Sequence, residues 1–233
     1  AVIGSYDDAP GDPGFLSQYR NLLHHYVHQQ GQEEASTFWG ACGAIRQEVF
    51  TARGGFSDRY RKPSIEDIEL GYRLKDAGAR IKLCKSLQVK HLKRWTAFSV
   101  IRTDLFQRAI PWTRLIHSRR RMANDLNLHI RERISVGAAM ALATSLAVGL
   151  AWYPAFIVAW GTGLLLAGLN APFYAFCIRT RGLWFMCKSL PWHWLYFLYS
   201  GIGFGFGTLW HALGMCRESH WPGSPVSRAE SRR

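Results

Sequence analysis

Two adjacent carboxylates, Glu66 and Asp67, follow Ser64 in the run Ser-Ile-Glu-Asp-Ile-Glu-Leu-Gly-Tyr-Arg-Leu at residues 64–74. The apolar spacing of this run predicts a helix. Both acids then stand in its first turn, where the helix dipole favours the ionised form. An ionised carboxylate that faces a cleft can accept a proton from an attacking hydroxyl. The alternative is structural, because Ser64 and Asp67 also match a capping box.

Two further pairs of residues are candidates for binding a ligand. Trp39 and Cys42 flank glycines in the apolar stretch 37–45, which predicts a strand that another group approaches closely. These two side chains either line an acceptor pocket or pack in the core. Arg94 can pair with an anionic group, and Trp95 can offer an apolar face to a ligand. Their alternative is an interfacial pair beside a membrane helix.

Metal ligation is a weaker prediction for the remaining polar residues. His24 and His28 have i and i+4 spacing on a predicted helix, but a solvated helix face is favoured because the sequence indicates no matching third ligand. Asp7 and Asp8 follow a strand and precede a run rich in Pro and Gly. We therefore predict that they form a turn rather than a metal site.

Four motifs occur in a fixed order along the first half of the chain. They are Gly-Ala-Cys-Gly-Ala-Ile-Arg at 40–46, Gly-Gly-Phe at 54–56, Ile-Glu-Asp-Ile-Glu-Leu-Gly-Tyr-Arg-Leu at 65–74 and His-Leu-Lys-Arg-Trp at 91–95. Their order and spacing resemble family 2 glycosyltransferases, which are inverting enzymes of the GT-A fold. The resemblance covers about residues 1–115. It implies an α/β fold, with the acceptor-side half of a GT-A-like (Rossmann-like) domain followed by a C-terminal α-helical transmembrane region.

The resemblance also assigns roles to single residues. Asp67, next to Glu66, is implied to be the general base that deprotonates the acceptor hydroxyl. The last motif resembles a Gln-x-x-Arg-Trp signature with His91 in place of glutamine, so that Arg94 and Trp95 contact diphosphate and sugar and His91 is a candidate metal ligand. The Asp-x-Asp motif of the family is absent. We therefore expect a fragment, inactive alone, whose divalent cation (Mg²⁺ or Mn²⁺) is bound mostly by a missing N-terminal half.

Short elements must position these residues. Periodicity and turn residues predict strands near 1–4, 80–84 and 87–89, helices at 15–29 and 47–52, and a helix that ends at Gly78. An amphipathic interfacial helix is predicted near 97–110 and should break at Pro111.

The last hundred residues have a different composition. No Asp, Glu, Lys or Arg occurs in 134–178 or in 189–216. The first run is too long for one span, and Tyr153-Pro154 marks a turn, so we predict a transmembrane region at 134–214. Its spans are about 134–152, 155–178 and 191–213. Two alternatives remain, a re-entrant third segment and core helices of a large soluble protein.

The positive charges surround the first apolar run. The chain has a net charge of +13, and arginines crowd residues 116–133. This basic collar predicts a cytoplasmic soluble part by the positive-inside rule, although the polar tail 215–233 is also basic. Nucleic-acid binding is not expected because no reading motif accompanies the charge. Five cysteines without a Cys-x-x-Cys pair indicate reduced thiols.

The favoured function is that of a membrane-bound inverting glycosyltransferase in a bacterial inner membrane. Its expected partners are a nucleotide-diphosphate sugar donor, a lipid-linked or glycan acceptor and membrane lipids. Two alternatives stay open, a processive polysaccharide synthase and a truncated, non-catalytic membrane protein with a partner-binding domain.

Overall fold

The computed structural model describes residues 1–60 and 62–213. Helical segments make up 66% of these residues and strands only 8%. The predicted α/β fold with a partial GT-A-like domain is therefore wrong, because the chain is mostly helical and carries one small three-stranded mixed sheet. The predicted polar tail, 215–233, lies outside the described residues.

The sheet is built around its first strand. Strand β1 (Val2–Tyr6) lies between β2 (Gly43–Ala44), which is antiparallel to it, and β3 (Lys82–Val89), which is parallel. The strands predicted at 80–84 and 87–89 form the single strand β3, whose register with β1 shifts midway.

The strand predicted at 37–45 is reduced to β2. Residues Gly40–Cys42 form a 3₁₀ turn instead. The reason lies at Gly40, whose backbone N–H donates to the Asp67 carboxylate. This N–H is therefore not available to a neighbouring strand, whereas Gly43 pairs with Ile3 of β1.

The described residues form eight α-helices. They are α1 (Phe15–Gln30), α2 (Gln47–Ala52), α3 (Glu66–Asp76), α4 (Ala97–Arg102), α5 (Ile110–Arg119), α6 (Ile130–Gly149), α7 (Ala155–Arg181) and α8 (Leu183–Ala212). The helices predicted at 15–29 and 47–52 are confirmed. The predicted break at Pro111 is wrong, because a π-helical segment (Thr103–Ala109) joins α4 to α5 and Pro111 falls in the first turn of α5. A proline is tolerated there.

Of the described helices, α7 alone is long and apolar enough to cross a membrane. Only 22% of its most apolar window is buried inside the protein. The other two predicted spans correspond to α6 and α8, which do not reach the same hydropathy. Charged residues begin α6, and α8 is rich in Gly, Trp and Tyr. The predicted turn is confirmed, since Pro154 caps α7.

Helix α1 lies between the sheet and α7. On one side, Tyr19 and Tyr26 pack against Phe173 of α7. On the other side, His28 contacts the β1 backbone, with its Nδ1 3.0 Å from the carbonyl oxygen of Gly4. A separate apolar cluster joins the sheet to α3. The half of the chain with the motifs is thus packed directly on the candidate membrane helix.

Glycines of α8 give a testable packing prediction. A Cβ on Gly203 would lie 2.6 Å from the Cβ of Ala109, whereas a Cβ on Gly205 would have no described atom within 4 Å. Gly203→Ala should therefore push α8 from the π-helical segment and lower the unfolding free energy by about 1–3 kcal/mol. Gly205→Ala should raise it by roughly 0.5–1 kcal/mol, since alanine favours helix. Thermal unfolding in detergent micelles checks both variants, and equal effects would contradict the packing.

Candidate active site

The first turn of α3 is held by side chains on both of its flanks. The hydroxyl of Ser64 donates to the carbonyl oxygen of Gln107 at 2.7 Å, and Glu66 accepts from the Ser64 N–H at 2.7 Å. The N-cap residue is Ile65, and it makes no side-chain cap. The capping box that was the structural alternative for Ser64 and Asp67 is therefore not formed, and Ser64 instead ties the turn to the π-helical segment.

Asp67 points towards the glycine-containing 3₁₀ turn. Its Oδ2 accepts from the N–H of Gly40 at 2.9 Å, and its Oδ1 accepts from the N–H of Ile68 at 2.8 Å. Both Asp67 and Glu66 line an open cleft of about 650 Å³, with the ring of Tyr60 on another wall. The structure thus holds one carboxylate by two backbone donors and leaves it facing a space large enough for a sugar ring.

The environment of Asp67 changes its proton affinity. Burial raises the pKa of the carboxyl group above its ordinary value. The Gly40 N–H, the charge of Arg108 and the Ile68 N–H oppose this rise and do not cancel it. The expectation that the first helical turn favours the ionised form is thus outweighed by burial. A carboxylate with a raised pKa binds a proton more strongly than a solvated one, which suits a general base.

Gly71 sets the distance between α3 and the stretch that leads into the Gly40 turn. A Cβ there would lie 2.2 Å from the backbone nitrogen of Phe38. We therefore expect Gly71→Ala to shift α3 and Asp67 away from Gly40. A misplacement of about 1 Å lowers a rate by roughly a hundredfold.

The measurement for Gly71→Ala is the transfer rate of the full-length protein. The matched control is Gly168→Ala, a helix-interior change with no described atom within 4 Å of the new Cβ. Unchanged transfer by Gly71→Ala would contradict the placement of α3.

The rest of the 65–74 motif is structural. Glu69 is 2% exposed and accepts from Arg73 Nε at 2.9 Å. Arg73 in turn donates to the carbonyl oxygen of Gly55 at 2.7 Å. Gly54 and Gly55 both have positive φ angles, which glycine adopts without strain. This ion pair therefore links the Gly-Gly-Phe motif to the helix that carries Asp67.

Arg108 is a site residue that the sequence did not single out. It lies on the π-helical segment, with its Nη1 3.3 Å from His24 Nε2. Its charge helps to lower the pKa of His24 and of His91, and it opposes the rise that burial causes in the pKa of Asp67. The sequence placed this stretch on an amphipathic helix that breaks at Pro111. No local signal marks the π-helical turn that brings Arg108 to the site.

His91 and Trp95 of the fourth motif lie beside Tyr6 of β1. The centroid of the His91 ring is 4.4 Å from that of Tyr6 and 6.3 Å from that of Trp95. Burial, helped by the charge of Lys93, lowers the pKa of His91, so the ring is neutral at pH 7. Its Nδ1 is buried and has no hydrogen-bond partner in the described part of the chain.

Two cationic side chains lie close to the Trp95 ring. Lys93 Nζ is 3.8 Å from the ring centroid, and Arg20 Cζ is 5.4 Å away. The Trp95 backbone N–H donates to Ser17 Oγ at 2.8 Å, which fixes the motif on α1. Arg94 is exposed. Lys93 and Arg20 therefore both lie near the Trp95 ring, and the neighbouring Arg94 is exposed to solvent.

The other two predicted binding residues belong to the sheet core. Trp39 is 8% exposed and packs edge-on against Tyr6 and His28, at 4.6 Å from each. Cys42 is half-buried beside Gly4 of β1. Neither residue is among those that line the cleft of Asp67.

Two predictions concerned polar residues outside the site, and the structure contradicts one and confirms the other. The solvated face predicted for His24 and His28 is wrong, because His28 is 5% exposed and burial lowers its pKa to about 4. The turn predicted at Asp7 and Asp8 is confirmed, since Asp7 Oδ1 accepts from the Ala9 N–H at 3.1 Å.

Comparison of the chain with models of protein families, with curated proteins and with solved structures gives no match. The glycosyltransferase resemblance therefore stays a prediction that rests on the four motifs.

The described residues contain no set of ligands for the divalent cation that the resemblance implies. Among the described residues, no group of three or more His, Cys, Asp or Glu side chains is arranged to hold a metal ion. Within the described ranges, the Nδ1 of His91 has no hydrogen-bond partner, and His91 belongs to no such group. No step is therefore assigned to a cation at these residues, and the metal role of His91 stays a prediction.

Proposed function

We propose that this chain acts in a membrane-bound inverting glycosyltransferase. Asp67 is the general base, the donor is a nucleotide-diphosphate sugar, and the acceptor is a hydroxyl group on a membrane-associated lipid or glycan. One observation carries the proposal. A carboxylate with a raised pKa is held by the N–H groups of Gly40 and Ile68 at the edge of an open cleft.

The proposed reaction is a single displacement. The acceptor oxygen forms a bond to the anomeric carbon while the bond from that carbon to the phosphate oxygen breaks. The bonding electrons leave with the nucleoside diphosphate, and the acceptor proton moves to Asp67. The Gly40 and Ile68 N–H groups fix the carboxylate in place, and Glu66 positions the turn through the Ser64 N–H.

We place the site at the cytoplasmic face of a bilayer, with α6, α7 and α8 as three spans and residues 116–133 as the basic collar. The support is the outward surface of α7, where Ile157, Trp160 and Leu164 are 75%, 70% and 61% exposed. Such side chains need a covering apolar phase. Ser64 bonds to the helix just before the collar, which keeps Asp67 near the lipid surface.

The test is a transfer assay on membranes from cells that express the full-length protein. A donor labelled in its sugar should give label in the lipid-extractable fraction, with the anomeric configuration inverted. Label that enters only a high-molecular-weight polysaccharide would favour a processive synthase. No transfer from any nucleotide-diphosphate sugar would favour a non-catalytic, partner-binding protein and contradict the proposal.

A further inference from the structure

A second cavity lies between the motif-bearing half and the apolar helices. Its volume is about 360 Å³, and α1, the π-helical segment, α5, the first turns of α6 and the middle of α8 form its walls. Most of the lining is apolar, as at Leu23, Ile116 and Phe204. This combination of an apolar wall and a position beside the basic collar differs from the open, polar cleft at Asp67.

Five charged side chains also line this cavity, and three of them are neutralised by ion pairs. Arg20 pairs with Asp104, and Glu132 accepts from Arg131 at 3.2 Å. The remaining two are the guanidinium groups of Arg108 and Arg133.

Both of these guanidinium groups lack a carboxylate partner within the described part of the chain. Arg108 Nη1 lies 3.3 Å from Nε2 of the His24 ring, whose pKa is lowered well below its ordinary value by burial. Arg133 donates to Asn124 Oδ1 at 3.0 Å and contacts Met122 Sδ at 3.4 Å, while its Nε is buried without a partner. Half-buried guanidinium groups are costly to leave without an anion.

We propose that this cavity binds a membrane lipid through a phosphate in its head group, with Arg108 and Arg133 contacting the phosphate and the apolar wall contacting the start of the tail. Guanidinium groups match phosphate oxygens in geometry and charge. The apolar wall excludes a free inorganic anion as the preferred occupant, because only a lipid fills both parts.

The lipid site also indicates the acceptor class of the proposed glycosyltransferase. Only this acceptor assignment rests on the proposed function. Arg108 lines the lipid cavity, and its neighbour Gln107 accepts a hydrogen bond from Ser64, just before the helix turn that carries Asp67. A phosphate bound at Arg108 therefore lies beside the segment that is tied to this turn, which brings the head group close to Asp67. The acceptor is then a lipid whose hydroxyl-bearing head group is attached through a phosphate.

Equilibrium binding to the full-length protein in neutral detergent tests the site without any turnover. The probes are a phosphatidic acid, the diacylglycerol with the same acyl chains, and inorganic phosphate. We expect only the phosphatidic acid to bind. Arg108→Gln and Arg133→Gln should each weaken it by about tenfold or more, the loss expected for a charge-assisted hydrogen bond.

The controls separate the site from general charge effects. Arg102→Gln removes an exposed cation from α4, outside the cavity, and should leave binding unchanged. Asp67→Asn should also bind normally, so that failure of catalysis and failure of lipid binding are distinguishable. Arg108→Lys keeps the charge and should bind better than Arg108→Gln. Equal binding of the diacylglycerol, equal binding of inorganic phosphate, or an equal loss in Arg102→Gln would each overturn the proposal.

Discussion

Asp104→Asn should lower the free energy of unfolding by about 3–5 kcal/mol, the cost of leaving one member of a buried ion pair uncompensated. Asp104 is 4% exposed and pairs with Arg20, which is 3% exposed. The hydroxyl of Tyr199 on α8 also donates to Asp104 at 2.5 Å. This one carboxylate therefore joins α1, the π-helical segment and α8. Its loss leaves the buried charge of Arg20 without a partner.

A double variant distinguishes the effect of the buried ion pair from the effect of side-chain packing. Arg20→Met combined with Asp104→Leu removes both charges and keeps apolar volume, so it should be much more stable than Asp104→Asn alone. Chemical unfolding in detergent, followed by tryptophan fluorescence, gives the comparison. If the double variant is as unstable as the single one, packing rather than the uncompensated charge holds these elements together.

Asp67→Asn should reduce sugar transfer by about 10²–10⁴-fold, the usual contribution of a general base. The amide keeps the size of the side chain but cannot take the acceptor proton. Expression and membrane insertion should be unaffected. The matched control is Glu48→Gln on α2, an exposed acid that does not line the cleft, which should transfer at the wild-type rate. Substantial residual transfer by Asp67→Asn would remove Asp67 from the role of base.

Loss of folding does not explain the expected effect of Asp67→Asn. The folded pKa of Asp67 lies above its unfolded value, so the folded state binds the proton more strongly. The stability that Asp67 contributes is present below the unfolded pKa and is lost as pH rises through the folded pKa. At neutral pH the ionised carboxylate therefore costs stability, and the neutral amide removes that cost.

Local signals were sufficient for the helices at 15–29 and 47–52 and insufficient for the sheet. The helix at 47–52 was predicted with correct ends because Gly54-Gly55 stops it, and α3 ends near Gly78, whose φ of +75° only glycine adopts freely. Strands, in contrast, depend on partners distant in the chain. The strand predicted at 37–45 was mostly lost because its Gly40 N–H binds Asp67 rather than a neighbouring strand.

The site was predictable only where its residues are neighbours in sequence. Glu66 and Asp67 are adjacent, so one helix start was enough to place both in one cleft. The glycine pattern correctly indicated a close approach to Gly40. Two features depend on tertiary packing and leave no local pattern, the bond from Ser64 to Gln107 and the position of Arg108. Asp104 lies within the amphipathic helix predicted near 97–110, and no local pattern marks its burial, which the ion pair with Arg20 makes favourable.

The pH dependence of sugar transfer tests the role of Asp67 most directly. Below the pKa of Asp67 the carboxyl group is protonated and cannot accept a proton, so wild-type transfer should fall with a slope of about one as pH decreases through that raised pKa. The residual transfer of Asp67→Asn should show no such acid limb. An acid limb of the same shape in both proteins would contradict the assignment of Asp67 as the base.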